Sequence, residues 1–396
     1  MTGIPAGQPG RGSSPVNSAT AAPSRTPPSA LIAGDYAEAG SAVMAARSAS
    51  PIDQPREYSG EFGRCRPGPL LTVLGRTPPA APCLTARMEL GIDVEGTRLA
   101  ATLDLPTGQV RGAMVILHGA QAGHRSYFCY THLAQILPDA GIAVLRYERR
   151  PRIGGHDVPL AGQADDAAAA IAVLRRYVGA VPIGLWGWSQ GAWVAPLTAA
   201  RNPGLVAFLI LVSCSGVSPA AQMRYGTAEQ LRQHGFTDAD LVDLNHLRGT
   251  VEEYLRGQTG RASAQHAVDR AAARPWFPLA WLPRELPTEP GTWTDMDFDP
   301  EPVFAQANCP VLLFYGATDA WVPVDASIAA WRRAATTGAL DLTICRLDGC
   351  DHLPSFDERE EIASISSQYS TTLVTWLESQ LSTGTADRRG CHDDKS

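Results

Sequence analysis

The apolar and polar positions divide the chain into two textures. Residues 1–85 are rich in Pro, Gly, Ser and Ala with little periodicity, the composition of a disordered extension. Within them "SALIAGDYAEAGSAVMAARSA" has helical propensity but no strong apolar face. The globular pattern begins at Met88. One expectation is therefore that translation starts near there and that the upstream residues are not part of the native protein.

From Met88 onward, short apolar runs alternate with amphipathic ones. "MELGIDVEGTRLAATLDLP" alternates on both sides of Glu95-Gly96, which predicts a hairpin. "GAMVILHGA", "IAVLRYE", "PIGLWGW", "GLVAFLILVSC" and "CPVLLFYGATD" are almost continuously apolar, as strands buried on both faces of a parallel sheet must be. "LDLTICRLDG" supplies one more strand. Helices are predicted between them: "SYFCYTHLAQILPDAG" closed by Gly141, "QADDAAAAIAVLRRYVG" with acids in its first turn and arginines in its last, "SQGAWVAPLTAAR", "VDASIAAWRRAA" and "SSQYSTTLVTWLESQL". Strands alternating with helices predict an α/β fold with a mostly parallel central sheet.

Over residues 217–308 the alternation stops. That segment is helical at first ("TAEQLRQHG", "TDADLVDLNHLRGTVEEYLRG") and then rich in Pro and Trp ("RPWFPLAWLPRELP"). It reads as a cap inserted between two strands of a core formed by residues 86–216 and 309–382. Residues 383–396 read as a polar tail.

Composition narrows the chemistry. Acidic and basic residues are interspersed at a net charge of −7, so no basic stripe invites nucleic acid. Lys395 in the tail is the single lysine, which excludes an internal Schiff-base or P-loop lysine. The eight cysteines are scattered without C-x-x-C spacing, and several sit in apolar runs, pointing to a reducing compartment. The N-terminus lacks a charged and apolar secretory signal, and the apolar run Leu205–Val212 is too short to span a bilayer. The expectation is a soluble cytoplasmic protein with no membrane or nucleic-acid partner; no oligomeric state is assigned.

The candidate chemistry centres on "LWGWSQGAW", where Ser189 stands between Gly187 and Gly191, after an apolar strand and before a helix. In that context G-x-S-x-G describes a sharp turn that holds a serine hydroxyl above a sheet. A serine needs a base, and the base an orienting carboxylate. Asp319 follows a strand 130 residues after Ser189, and His352 follows the last strand 33 residues further on. Both therefore fall at strand C-termini, the edge where open α/β sheets build sites. Asp325 is a rival acid, but its position at a helix start suits capping. Asp348 and Asp351 read as turn residues beside His352. His118 reads as a structural brace, and His124, His132 and His156 as solvated loop histidines. No pair has metal-ligand spacing, so no metal and no cofactor are expected.

The motifs "HGA" (His118–Ala120), "GWSQG" (Gly187–Gly191), "GATDAWVP" (Gly316–Pro323) and "DGCDHLP" (Asp348–Pro354), in this order, resemble the α/β-hydrolase superfamily over residues 88–381. Within it the chain is most similar to bacterial serine esterases and acylpeptidase-like hydrolases of the dienelactone-hydrolase and prolyl-oligopeptidase neighbourhood. The resemblance implies that Ser189 attacks an acyl carbonyl, that His352 shuttles its proton, and that Asp319 orients His352. It also implies an oxyanion hole from the backbone N–H groups of Ala120 and Gln190. Two stretches depart from the family pattern. "YERRPRIGGHD" replaces Asp-x-Arg-Gly-x-Gly-x-Ser, with Glu148 for the Asp, Pro151 for the first Gly and Gly155 or His156 for the Ser. "HGAQAGHRSY" replaces a Gly-Ser-Gly-Pro type loop.

Substrate contacts are expected from Trp188, packed under the turn, from Arg125, which either binds a substrate carboxylate or forms an ion pair, and from Trp276 and Trp281 of an apolar roof that also holds Phe277 and Trp293. The expectation is a serine hydrolase acting on a carboxylic ester of a small, hydrophobic molecule. A peptidase, a thioesterase or acyltransferase, and an inactive binding protein are the alternatives; the intact Ser189, Asp319 and His352 argue against the last.

Overall fold

The computed structural model describes residues 86–120, 122–151, 157–338, 340–357 and 359–387. The predicted extension 1–85, His156, and the end of the predicted tail lie outside them.

Eight strands form one sheet in the order β1-β2-β4-β3-β5-β6-β7-β8. The hairpin at one edge is β1 (Ala86–Val94) with β2 (Thr97–Leu105), turning at Glu95 and Gly96, both at positive φ. It joins antiparallel to β4 (Ile142–Tyr147); from there β3 (Gly112–Leu117), β5 (Ile183–Trp188), β6 (Leu209–Val212), β7 (Val311–Gly316) and β8 (Leu342–Leu347) are parallel.

The continuous apolar runs arise because both faces of the sheet are covered. Along β3, Ala113, Val115 and Leu117 face one core and Met114 and Ile116 the other, the two-residue alternation of a strand. The first core is closed by α2 (Leu160–Val178), α3 (Gln190–Arg201) and α8 (Val324–Gly338). The second is closed by α1 (Phe128–Ile136) and α9 (Ser367–Asp387). The helix α1 stops before a 3-10 turn at Pro138–Ala140, and Gly141 ends it at φ 79°, a left-handed value that glycine adopts without strain.

Between β6 and β7 lie α4 (Pro219–Gln233), α5 (Asp238–Leu255), α6 (Arg261–Ala271), a 3-10 turn at Phe277–Ala280 and the short α7 (Glu301–Phe304). Much of this segment packs on a separate apolar cluster that includes Leu244, Leu247, Val251, Val268, Trp276 and Phe277.

Several elements differ from the sequence reading. The strand β6 is confined to Leu209–Val212, and β8 is only half-buried. The helix α2 begins at Leu160 rather than at Gln163, so Asp165 and Asp166 lie beyond its first turn. The helix α6 has no strong apolar stripe in sequence and buries only Ala264 and Val268. The helix α9 runs to Asp387, into the predicted polar tail, and near its end Ser382 Oγ donates to the Glu378 carbonyl at 2.7 Å.

Candidate active site

Three loops at the C-terminal ends of β5, β7 and β8 meet above the sheet. Ser189 follows β5 at φ 53° and ψ −114°, backbone angles that cost a non-glycine residue of order 1–3 kcal/mol. Its amide donates to the Val212 carbonyl at 3.0 Å, which anchors the turn to β6. The flanking glycines are required by contact. A Cβ at Gly187 would lie 2.3 Å from the Gly191 carbonyl oxygen, and one at Gly191 would lie 2.7 Å from that of Leu117.

His352 Nε2 stands 3.0 Å from Ser189 Oγ, and its Nδ1 stands 3.2 and 3.1 Å from the two carboxylate oxygens of Asp319. The Asp319 side chain is fully buried, and its Oδ1 also accepts the amides of Trp321 and Val322 at 2.8 and 3.0 Å. A carboxylate that accepts from both Nδ1–H and two amides leaves Nε2 as the acceptor of the imidazole. Asp325, the rival acid, is exposed at the start of α8 and pairs with Arg346.

The histidine loop is held from several sides. The His352 carbonyl accepts from Trp188 Nε1 at 2.9 Å and from Ser213 Oγ at 3.0 Å. Asp351 accepts the Ala320 amide at 3.0 Å, and Thr318 Oγ1 donates to the Cys350 carbonyl at 3.1 Å, tying the acid loop to the histidine loop. Gly316 permits this approach, since a Cβ there would lie 1.9 Å from the Asp351 carbonyl oxygen. Asp351 is thus more than the turn residue the sequence suggested.

The loop after β3 passes beside Ser189. His118 Nε2–H donates to the Tyr147 carbonyl at 2.6 Å, and full burial holds its pKa down to about 3, so the ring is neutral. Tyr130 Oη donates to the Ala122 carbonyl at 3.0 Å and accepts the Gly119 amide at 3.2 Å. The Ala120 amide donates to no described residue, and the Gln190 amide, first in α3, has no acceptor within the helix. Arg149 joins the two segments. Its Nη1 donates to the Gly119 carbonyl at 3.3 Å and to Gln190 Oε1 at 2.9 Å, and its Nη2 to the Ala120 carbonyl at 2.6 Å.

The remaining residues singled out in the sequence fall in different surroundings. Trp188 is 8% exposed, stacked on Tyr127 and tilted against the His352 ring, so it supports the histidine more than it presents a surface. Arg125 adopts the ion-pair alternative, 2.5 Å from Glu89 and 3.3 Å from Glu148. Trp276 is buried in the cluster of the inserted segment, whereas Trp281 packs edge-on against Trp321, two residues after Asp319. His132 is not a solvated loop residue: it lies on α1, buried, with Nε2 2.9 Å from Ser370 Oγ, and burial lowers its pKa. His124 is beside Ser126 on the rim. Among the described residues no three His, Cys, Asp or Glu side chains are grouped to hold a metal, and no helix is long and apolar enough to cross a membrane.

Sequence reasoning passed over Arg149, Ser213 and Tyr130. Ser213 acts through a hydrogen bond to a residue far away in sequence and Tyr130 through two bonds to the loop before its helix, and neither carries a local signal. Arg149 had one: it sits in "YERRPRIGGHD", the stretch that departs from the family pattern.

A mostly parallel sheet covered on both faces, with an antiparallel hairpin at one edge and loops converging at strand C-termini, is the architecture of an α/β hydrolase. The chain belongs to the alpha/beta hydrolase family, whose sequence profile matches residues 114–365. No curated protein sequence matches it. Among solved structures it is similar to a highly thermostable carboxyl esterase from Bacillus coagulans, with a TM-score of 0.50 and 16% identity over 75% of this chain and 99% of that one. It is also similar to Est1E from Butyrivibrio proteoclasticus, at 0.48 and 18% over 74% and 99%. A dienelactone hydrolase from Anabaena variabilis aligns at 0.43 and 15% over 74% and 97%. At these identities the likeness is one of fold.

Proposed function

We propose that this hydrolase-family protein is a serine hydrolase that cleaves a carboxylic ester of a small, apolar substrate through an acyl-enzyme on Ser189. The observation that carries the reading is the unbroken chain from Ser189 Oγ to His352 Nε2 at 3.0 Å and from His352 Nδ1 to the buried Asp319 carboxylate at 3.1 Å. Ser189 attacks the acyl carbonyl while His352 takes the hydroxyl proton. The oxyanion of the tetrahedral intermediate accepts from the Ala120 and Gln190 amides; removing one such donor typically costs about 2.7–4 kcal/mol. His352 then protonates the departing alcohol. A water, deprotonated by His352, attacks the acyl-enzyme, and the carboxylic acid leaves as Ser189 regains its proton.

The segment 217–308 acts as a cap in this reading. Its support is the contact of Trp281 with Trp321 and the fit of α4 over Trp321, where a Cβ at Gly226 would lie 2.5 Å from the indole. An aromatic rim beside Asp319 suits an apolar acyl or aryl group. A peptidase needs a group to dock a charged terminus, either Arg125 or an acid of the inserted segment; Arg125 is engaged by Glu89 and Glu148, which favours the ester reading over docking at that residue. The cysteines Cys129, Cys214, Cys309, Cys345 and Cys350 are free, which fits the reducing, cytoplasmic setting we propose.

A fluorophosphonate probe is expected to label Ser189 in the wild-type protein and not in Ser189→Ala. Ser189→Ala and His352→Ala are each expected to lower kcat by about 10⁵-fold or more. Full activity in either variant would end the proposal. Across an acyl series of p-nitrophenyl esters beside aminoacyl anilides, esters should be preferred; preference for anilides would favour peptidase activity.

A further inference from the structure

Arg149 lies two residues after β4, and its backbone amide donates to the Gly123 carbonyl at 2.8 Å, so its start point is fixed to the loop after β3. Its side chain is 11% exposed and lies 3.5 Å from the Asp157 carboxylate. From there the guanidinium reaches three acceptors on two segments: the carbonyls of Gly119 and Ala120, and Gln190 Oε1. The first is the carbonyl of the peptide unit whose N–H is that of Ala120, and the last is the side chain of the residue whose amide is the second proposed oxyanion donor.

The Gly119 carbonyl and the Ala120 amide are the two ends of one peptide unit. In a trans peptide they point in opposite directions. A donor that holds the oxygen on one side therefore aims the N–H at the other. A cationic donor on that oxygen also polarises the unit and strengthens its N–H as a hydrogen-bond donor. The bond to Gln190 Oε1 draws the same guanidinium onto the first residue of α3, whose amide is the second oxyanion donor. Nη1 alone spans the two segments, and the planar fork places Nη2 on the Ala120 carbonyl at the same time, a geometry that the single nitrogen of a lysine ammonium does not reproduce.

We propose that Arg149 is a positioning residue for the oxyanion hole: its guanidinium clamps the Gly119–Ala120 peptide to Gln190 and so fixes the two amides relative to one another. The proposal rests on the serine-hydrolase reading above. It also gives Gln190 a side-chain task beside the one its amide performs.

The test compares wild type with Arg149→Ala, Arg149→Lys and Gln190→Ala, using a p-nitrophenyl ester as substrate and a trifluoromethyl ketone as the probe of the oxyanion. Ser189 Oγ adds to the ketone carbonyl carbon, its proton passes to His352, and the carbonyl oxygen becomes a hemiketal oxyanion. Arg149→Ala is expected to lower kcat about 10- to 100-fold with KM within threefold of wild type, and to weaken the ketone in step with kcat/KM. Arg149→Lys should recover part of the loss. Gln190→Ala keeps the amide and should fall in the same direction by about tenfold. Thermal melting checks that each variant is folded, and Gln190→Ala and Arg149→Lys carry the test if Arg149→Ala is not. Unchanged kcat and unchanged ketone affinity in the folded variants, or a change confined to KM, would overturn the proposal. Fluorophosphonate labelling of wild-type Ser189 is read separately: its absence removes the serine-hydrolase reading itself.

Discussion

Ser189 owes its position to the glycines two residues away on either side, Gly187 and Gly191. Gly191→Ala would press a methyl 2.7 Å from the Leu117 carbonyl oxygen. It is expected to cost about 1–3 kcal/mol of stability in urea unfolding and to slow fluorophosphonate labelling of Ser189. Asp319→Asn should leave the fold intact yet lower kcat by about 10⁴-fold, because an amide neither fixes the His352 tautomer nor stabilises its cation. His118 gives a prediction in pH. Burial holds it to about 3 in the folded protein, against about 6.5 unfolded. Between those values the unfolded chain binds the extra proton, so the contribution is complete above about pH 6.5 and is lost as pH falls toward 3. Unfolding at pH 4 should be easier than at pH 7 by about 3 kcal/mol from this group. His118→Asn, compared over the same range, should show a shallower acid limb.

The elements divide by how local their causes are. The start of α5 is written in the sequence: Thr237 Oγ1 accepts the Asp240 amide at 3.3 Å, and Asp240 Oδ2 accepts the Thr237 amide at 3.0 Å. Thr237→Ala is expected to lower stability by about 1 kcal/mol in thermal or urea unfolding. The start of α2 is not local. The Leu160 amide donates at 2.9 Å to Asp295, 135 residues away in the inserted segment, so a reading of neighbouring residues began the helix three positions late. The strand predictions located the sheet because burial on both faces demands unbroken apolar runs. They overran at β6, where apolar residues continue into buried coil at Val206 and Phe208.

Across the whole molecule, one buried ion pair joins the antiparallel edge to the parallel sheet. Asp104 on β2 is fully buried and accepts from Arg146 of β4 at 3.2 and 2.7 Å, and from Arg87 of β1 at 2.7 Å. Asp104→Ala would leave the Arg146 cation buried without its carboxylate and is expected to cost about 3–5 kcal/mol in urea unfolding. The three-way site was legible for the same reason as the sheet. Ser189, Asp319 and His352 each follow an apolar strand, and parallel strands bring their C-termini to one edge. Their mutual order was readable; the brace around them was not. Trp188, at the end of β5, and Ser213, Asp351 and Arg149, on loops, act through contacts between segments whose separation in sequence carries no information about their separation in space.

The α/β architecture was legible in the sequence because hydrophobic period is a local property, and the position of Ser189, Asp319 and His352 at strand ends, also local, marked them as candidates. Only the tertiary structure decided that Arg125 is held by Glu89 and Glu148, that Trp276 belongs to the core of the insert, and that Arg149 bridges the Gly119–Ala120 peptide to Gln190. Each of those assignments depends on which charged, aromatic and carbonyl groups meet after folding, and a side chain's partner is set by distance in space, not by its place along the chain.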